Sequence, residues 1–246
     1  MNWIVTGSSR GIGAAIARMA AARGVSVVVN YSVDAANAAG VVESIRQAGG
    51  RAIAVQADIA RERDVVRLFE TAGREFGAPG VLVNNAAITG GFRRVEEVTE
   101  ELLARVFAVN VTGSFLCARE AVRRMSTKRG GTGGAIVNLT SRAAALGSPN
   151  EWVHYAATKG AIDTFTVGLA REVATEGIRV NAIAAGLIET GMHAAAGAPD
   201  RVERMAPGIP MQRPASPDEV AEAALWLASP AASYITGAIL PVSGGR

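Results

Sequence analysis

Short runs of apolar residues alternate along the chain with longer stretches in which apolar positions recur at helical spacing. The runs NWIVT (2–6), VSVVVN (25–30), RAIAVQ (51–56), VLVNN (81–85), GAIVNLT (134–140), IRVNAIA (178–184) and AILPV (238–242) are apolar at consecutive rather than alternate positions. A strand apolar on both faces has both faces covered, so these runs predict seven strands of a parallel sheet. The stretches between them predict helices over about 11–23, 35–48, 61–76, 99–128, 151–176 and 216–228. Two of the helix starts carry physical signals. Ser216-Pro217-Asp218-Glu219 sets a cap residue before a proline and first-turn acids, and Thr99-Glu100-Glu101 opens in the same way. Strands alternating with helices require right-handed crossovers, which predicts a doubly wound α/β sheet with helices on both faces. No internal repeat or linker divides the sequence, so one domain over 1–246 is expected. The least regular stretch, 187–214, is rich in Gly, Pro and Met and has the length of a lid or binding loop.

Composition narrows the chemistry. Of 246 residues, 49% are hydrophobic, 19% charged and 5% aromatic, so a large core of small, closely packed side chains is available. A lone cysteine, Cys117, excludes an internal disulfide, and the separated His154 and His193 offer no metal-ligand cluster. No metal is expected. The net charge is +3, and the densest basic group, Arg123, Arg124, Lys128 and Arg129, sits where a helix end favours cations. No basic stripe is interleaved with aromatics, so nucleic acid is not an expected partner. The sequence runs straight into an apolar strand without a signal-peptide pattern, and no uninterrupted apolar run of about 18 residues stands out. A soluble, cytoplasmic protein without a membrane span is the expectation.

Two motifs then carry the argument. TGSSRGIG (6–13) follows the first strand and opens the first helix. Gly7 permits a tight turn, Gly11 admits a phosphate close to the backbone, and Gly13 allows close helix–strand packing. The free N–H groups of the helix start suit a pyrophosphate. The second motif is HYAATKGA (154–161), in which Tyr155 and Lys159 stand four positions apart and share one helix face. Taken alone, that pair fits a surface helix. A tyrosine with a reference pKa near 10 is a poor base at neutral pH, and a neighbouring ammonium favours its phenolate.

The G-x-x-x-G-x-G spacing together with Tyr155-x-x-x-Lys159 resembles the short-chain dehydrogenase/reductase family in its compact, single-domain form, over essentially the whole chain. The resemblance implies a Rossmann-type fold. Further positions match it: Asp58 and Ile59 after the third strand, Asn84 and Ala86 in NNAA, Asn110 in AVNVTGSF, and Ser141 ending IVNLTS. It implies that Tyr155 is the general acid for carbonyl reduction and the base for alcohol oxidation, and that Ser141 polarises the substrate oxygen. Lys159 would hold the nicotinamide ribose, and Asn110 would support a water-linked relay. Cofactor contacts are implied at Gly7, Ser9, Arg10, Gly11, Ile12, Gly13, Asn30, Asp58, Ile59, Asn84, Ala86, Tyr155, Lys159, Gly186, Ile188 and Thr190. Glu151, Trp152 and Met192 are candidate substrate contacts, and His154 is assigned to packing or an interface.

Three features depart from the family pattern. Ala87 replaces the glycine of N-N-A-G, Ala185 replaces a proline before Gly186, and one extra residue separates Ser141 from Tyr155, assigned to GSPNEWVH (147–154). Thr140 is the alternative to Ser141. Strand two ends VVVNYS without an acid, Arg10 lies in the glycine-rich turn, and Asp34 is read as a helix cap. NADP(H) is therefore favoured, with NAD(H) as the alternative. The implied partner is a small alcohol or carbonyl compound, and a homotetramer through helices 99–128 and 151–176 and the C-terminal segment is expected. A catalytically idle nucleotide-binding regulator on the same fold is the rival reading. A nucleotide-sugar epimerase or dehydratase shares the Tyr–Lys pair but resembles longer chains. A sugar such as glucose, a 3-oxoacyl thioester and a small cyclic or aromatic ketone all remain open as substrates.

Overall fold

The computed structural model describes residues 2–246. Seven parallel strands run β1 (Asn2–Val5), β2 (Ser26–Tyr31), β3 (Arg51–Gln56), β4 (Pro79–Asn84), β5 (Gly134–Ser141), β6 (Ile178–Ala185) and β7 (Ile239–Val242). Their order in the sheet is β3-β2-β1-β4-β5-β6-β7. The direction of winding reverses between β1 and β4, which opens a crevice at the carboxyl ends of those strands. This is the Rossmann-type arrangement.

Alternate side chains of each strand build a core on either side. On one face Trp3, Val5 and Val29 pack against Ile16 of α1 (Gly11–Ala22), Val41 of α2 (Ala35–Gln47) and Leu225 of the helix Pro217–Ala228. On the other, Ile4, Val28, Leu82 and Ile136 meet Leu68 and Phe69 of α3 (Glu62–Phe76). The cap signals hold. Asp34 accepts from Asn37 N at 3.2 Å, and Ser216 and Glu219 form a reciprocal capping box.

The expected helix 99–128 is not continuous. It divides into α4 (Glu100–Phe107), a widened π turn at Ala108–Thr112 and α5 (Gly113–Met125). Asn110 sits in that turn, its side chain bonding Ile88 N and O, both at 2.9 Å, and Thr158 Oγ1 at 3.1 Å. Gly113 approaches so closely that a Cβ there would lie 2.8 Å from the Ile59 side chain. These long-range contacts override the regular helical repeat. By length and composition Glu100–Met125 is apolar enough to cross a membrane, although no uninterrupted apolar run marks it. Its Cys117, Ala118, Ala121 and Met125 are buried in the domain core.

Three short helices were not anticipated: α6 (Ala143–Leu146), and α8 (Met192–Ala195) and α9 (Arg201–Met205) within the irregular stretch 187–214. Too short to show a period, they leave no mark in an apolar pattern. Helix α7 spans Val153–Val173 and starts later than expected, because Ser148 and Asn150 turn the chain with φ of 48° and 60°. The last helix is α10 (Pro217–Ala228).

Candidate active site

The crevice deepens into a cleft of about 670 Å³, within the range of ligand sites. One end is made from backbone. Gly7 has φ +60°, and a Cβ there would stand 2.8 Å from Ala86 Cα, so the turn after β1 lies directly on the NNAA segment. Thr6 Oγ1 accepts from Asn85 N and Ala86 N, both at 3.0 Å, and Asn85 Nδ2 donates to Thr6 O at 2.8 Å and Gly7 O at 3.0 Å. Asn30 fixes the other side of the turn, accepting from Gly7 N at 3.1 Å and donating to Ala57 O at 3.1 Å. Gly11 is also in the left-handed region, with open approach except toward Thr190. The first turn of α1 therefore faces the cleft with its N–H groups, as an anionic diphosphate requires. These residues fit a dinucleotide.

At the rim of this end stand Arg10, Ser32, Val33 and Asp34. Donors from the Asn37 side chain and backbone, with the Arg10 charge adding, hold Asp34 below the usual carboxylate range. Asp58 lines the neighbouring wall, accepting from Ala60 N and from Arg105 Nη1, each at 3.1 Å.

The other end is made from side chains. Tyr155 and Lys159 are both buried on α7, and Lys159 Nζ lies 5.5 Å from the Tyr155 ring centroid and donates to Leu139 O at 2.6 Å. Burial pushes the lysine down to about 8, against the raising charge of Asp163 one turn on. Burial pushes the Tyr155 phenol up to about 12, with the nearby Ser141 hydroxyl acting against it. Desolvation therefore keeps the phenol protonated at neutral pH. Ser141 ends β5, where its Oγ accepts from Ala143 N at 3.1 Å and lies 3.5 Å from Ala185 O. Thr140, the alternative to it, directs Oγ1 onto Lys159 O at 3.1 Å and so braces α7 instead.

Beyond Tyr155, aromatic rings close the site. Trp152 is buried, stacks on Phe92 at 4.5 Å and tilts toward Tyr155 at 5.7 Å. Arg201 of α9 lies over the Trp152 ring at 4.8 Å and grips Glu151 through Nη2 at 2.6 Å and Nε at 3.3 Å. Met192 and His193 of α8 complete this wall. His154 packs away from it, its Nε2 2.8 Å from Thr89 O.

The cleft thus brings together Gly7, Ser9, Arg10, Gly11, Ile12, Asn30, Asp58, Ile59, Ala86, Ser141, Trp152, Tyr155, Lys159, Gly186, Ile188, Thr190 and Met192. Four residues singled out from the sequence stand behind its walls. Gly13 packs on Asn85, Asn84 bonds Asn138 Oδ1 at 3.0 Å inside the sheet, Asn110 holds the π turn, and Glu151 anchors Arg201. Strand alternation turns Asn84 inward and leaves Asn85 in the wall. Arg142, Arg201 and Arg246 also line the cleft and carried no motif.

The crevice at the switch point, with the buried Tyr–Lys pair beside it, defines an α/β protein whose cleft fits a dinucleotide. Residues 7–246 match the family model described as enoyl-(acyl carrier protein) reductase. The chain is 51% identical, over 99% of its length and 98% of the relative's, to the uncharacterized oxidoreductase YgfF of Escherichia coli (strain K12). It superposes at TM-score 0.91 on the 3-ketoacyl-(acyl-carrier-protein) reductase from Brucella melitensis complexed with NADH, at 36% identity, covering 100% of this chain and 97% of that one. A short chain dehydrogenase from Burkholderia cenocepacia J2315 in complex with NADP gives 0.90 at 32% identity, covering 99% and 96%. The chain belongs to the short-chain dehydrogenase/reductase family of oxidoreductases.

Proposed function

We propose that the protein interconverts a secondary alcohol and its ketone, or a related carbonyl compound, with NADP(H) as the preferred cofactor. The observation that carries this reading is the buried Lys159 ammonium beneath the Tyr155 ring, with Ser141 lining the same cleft. When bound, the nicotinamide supplies or takes up the hydride. In reduction, Tyr155 Oη gives its proton to the carbonyl oxygen as the carbonyl carbon gains the hydride; in oxidation the phenolate takes the proton back. Ser141 Oγ donates a hydrogen bond to the same oxygen and stabilises the charge that develops there. Lys159 favours the phenolate and offers donors to the ribose. The turn 6–13, Asp58, Ile59, Ile188 and Thr190 hold the remainder of the dinucleotide.

The cofactor preference rests on Arg10 at the rim, on the absence of an acid at 30–32, and on Asp34 being engaged as a cap. A homotetramer is part of the same reading. Phe115 of α5 is half-exposed and stacks on Phe165 of α7 at 3.7 Å, giving the two helices a joint apolar face.

The test pairs fluorescence titrations of NADPH and NADH with turnover of a carbonyl panel by wild type and Tyr155→Phe. Tighter NADPH binding is expected, with turnover lowered roughly 10²–10⁴-fold in the variant while cofactor affinity is kept. Tighter NADH binding would overturn the cofactor preference. Cofactor binding without Tyr155-dependent turnover on any panel member would favour the idle regulator.

A further inference from the structure

The substrate end of the cleft has a charge imbalance that proton transfer does not use. Arg142, Arg201 and Arg246 all line it. They come from the turn after β5, from α9 and from the segment after β7, so no local pattern brings them together. Arg201 is buried and matched by the bidentate Glu151. Arg142 directs Nε onto the Arg246 main-chain oxygen at 2.6 Å, and Ser243 Oγ holds the same oxygen at 2.9 Å.

The Arg246 guanidinium is different. Among the described residues it donates no hydrogen bond and has no side-chain carboxylate within 4.0 Å. It is half-buried, so water compensates its charge poorly, and the charges of Arg201 and Arg142 oppose its own while Glu151 favours it. Glu151 is already engaged in full by Arg201. Glu151 offsets only one of the three guanidinium charges, so the other two repel in this partly desolvated wall unless a further anion joins them. Arg201 ties this wall to Trp152, lying 4.8 Å over its ring, and Trp152 lies 5.7 Å from Tyr155.

We propose that Arg246, supported by Arg142 and Arg201, binds a carboxylate on the substrate, so that the protein acts on hydroxy and oxo acids rather than on neutral alcohols and ketones. The planar fork of a guanidinium matches a carboxylate with two parallel hydrogen bonds. Trp152, held by its stack on Phe92, gives the carbon skeleton an apolar surface in the same cleft. This assignment rests on reading the cleft as the hydride-transfer site, and the experiment separates the two.

Matched sets of ketones that differ only in a carboxylate, its methyl ester, its amide or a phosphate monoester are assayed with wild type and Arg246→Gln, alongside NADPH titrations of both proteins. The expected result is a kcat/KM for the oxo acid at least about tenfold above its methyl ester in wild type. In Arg246→Gln that ratio falls to about one, mainly through KM, with NADPH affinity kept. A thermal-shift series with the oxo acid on the NADP-loaded protein gives a second readout, with stabilisation in wild type and none in the variant. Preference for the ester or amide in wild type overturns the assignment. So does preference for the phosphate monoester, or an unchanged ratio in Arg246→Gln. Loss of NADPH affinity in the variant would give Arg246 to the cofactor instead, also overturning it. Failure of the cleft reading has its own signature, in which no set member is turned over in a Tyr155-dependent way and the oxo acid still stabilises wild type alone.

Discussion

The two ends of the cleft are built on different principles. The end between β1 and β4 is backbone against backbone: Gly7 on Ala86, the first turn of α1, and side chains such as Asn30 and Asn85 bonded to main-chain groups. The end beyond Tyr155 is side chain against side chain: Trp152 on Phe92, Arg201 on both rings, and Glu151 on Arg201. The first geometry tolerates almost no change, because a single Cβ fills the space of the ligand or of the neighbouring strand. The second can be re-formed with other residues while the fold stands. A common nucleotide therefore fits the first end, and a particular substrate selects the second.

The sharpest break of this contrast is Gly7→Val. A side chain at φ +60°, 2.8 Å from the Ala86 backbone, forces the turn off the NNAA segment. A loss of about 3 kcal/mol or more is expected, with NADPH binding lost in the same titration; Met192→Ala at the other end should leave both nearly unchanged. Next in size is Glu151→Gln, which leaves the buried Arg201 without its carboxylate. Chemical denaturation should show a loss of about 3 kcal/mol, and adding Arg201→Met should restore most of it. Retention of full stability in Glu151→Gln would remove the ion pair from the account of this wall.

Lys159→Met tests the cost of burying the catalytic ammonium. The lysine titrates at about 8 in the folded protein against 10.5 for its ordinary value, so the unfolded chain binds the extra proton between those pH values. The penalty is complete below about pH 8 and fades as pH rises through 10.5. At pH 7 the methionine variant should be more stable by about 2–3 kcal/mol, an advantage that shrinks between pH 8 and 10.5. The smallest effect is expected for Arg10→Ser, which should reduce the preference for NADPH over NADH by about tenfold, or about 1.4 kcal/mol. Fold and turnover with NADH should be kept.

The same contrast explains what the sequence made readable. Consecutive apolar positions disclosed the central strands because burial on both faces leaves no room for alternation, whereas the edge strands β3 and β7 are partly exposed. Gly7 and Gly11 were visible because a positive φ beside a neighbouring backbone excludes nearly every other residue. Tyr155 and Lys159 were visible because the helix repeat places both on one face. Asn110 was singled out, yet the π turn around it was hidden, since the contacts that widen the helix come from Ile88 and Thr158, far away in sequence. The arginine wall was invisible for the same reason, at greater distance: Arg142, Arg201 and Arg246 meet only after three separate segments return to one end of the sheet.

The central claim is that a charged Lys159 and a neutral Tyr155 form the working pair for carbonyl reduction. The direct measurement is the pH dependence of kcat/KM for NADPH in carbonyl reduction, which reports the groups of the free enzyme, followed from about pH 6 to about pH 10. With the phenol at about 12 and the lysine at about 8, the rate should be level at neutral pH and decline above about pH 8 as the ammonium loses its proton. A rate that stays level to about pH 10 would show that the Lys159 charge takes no part, and would contradict the account.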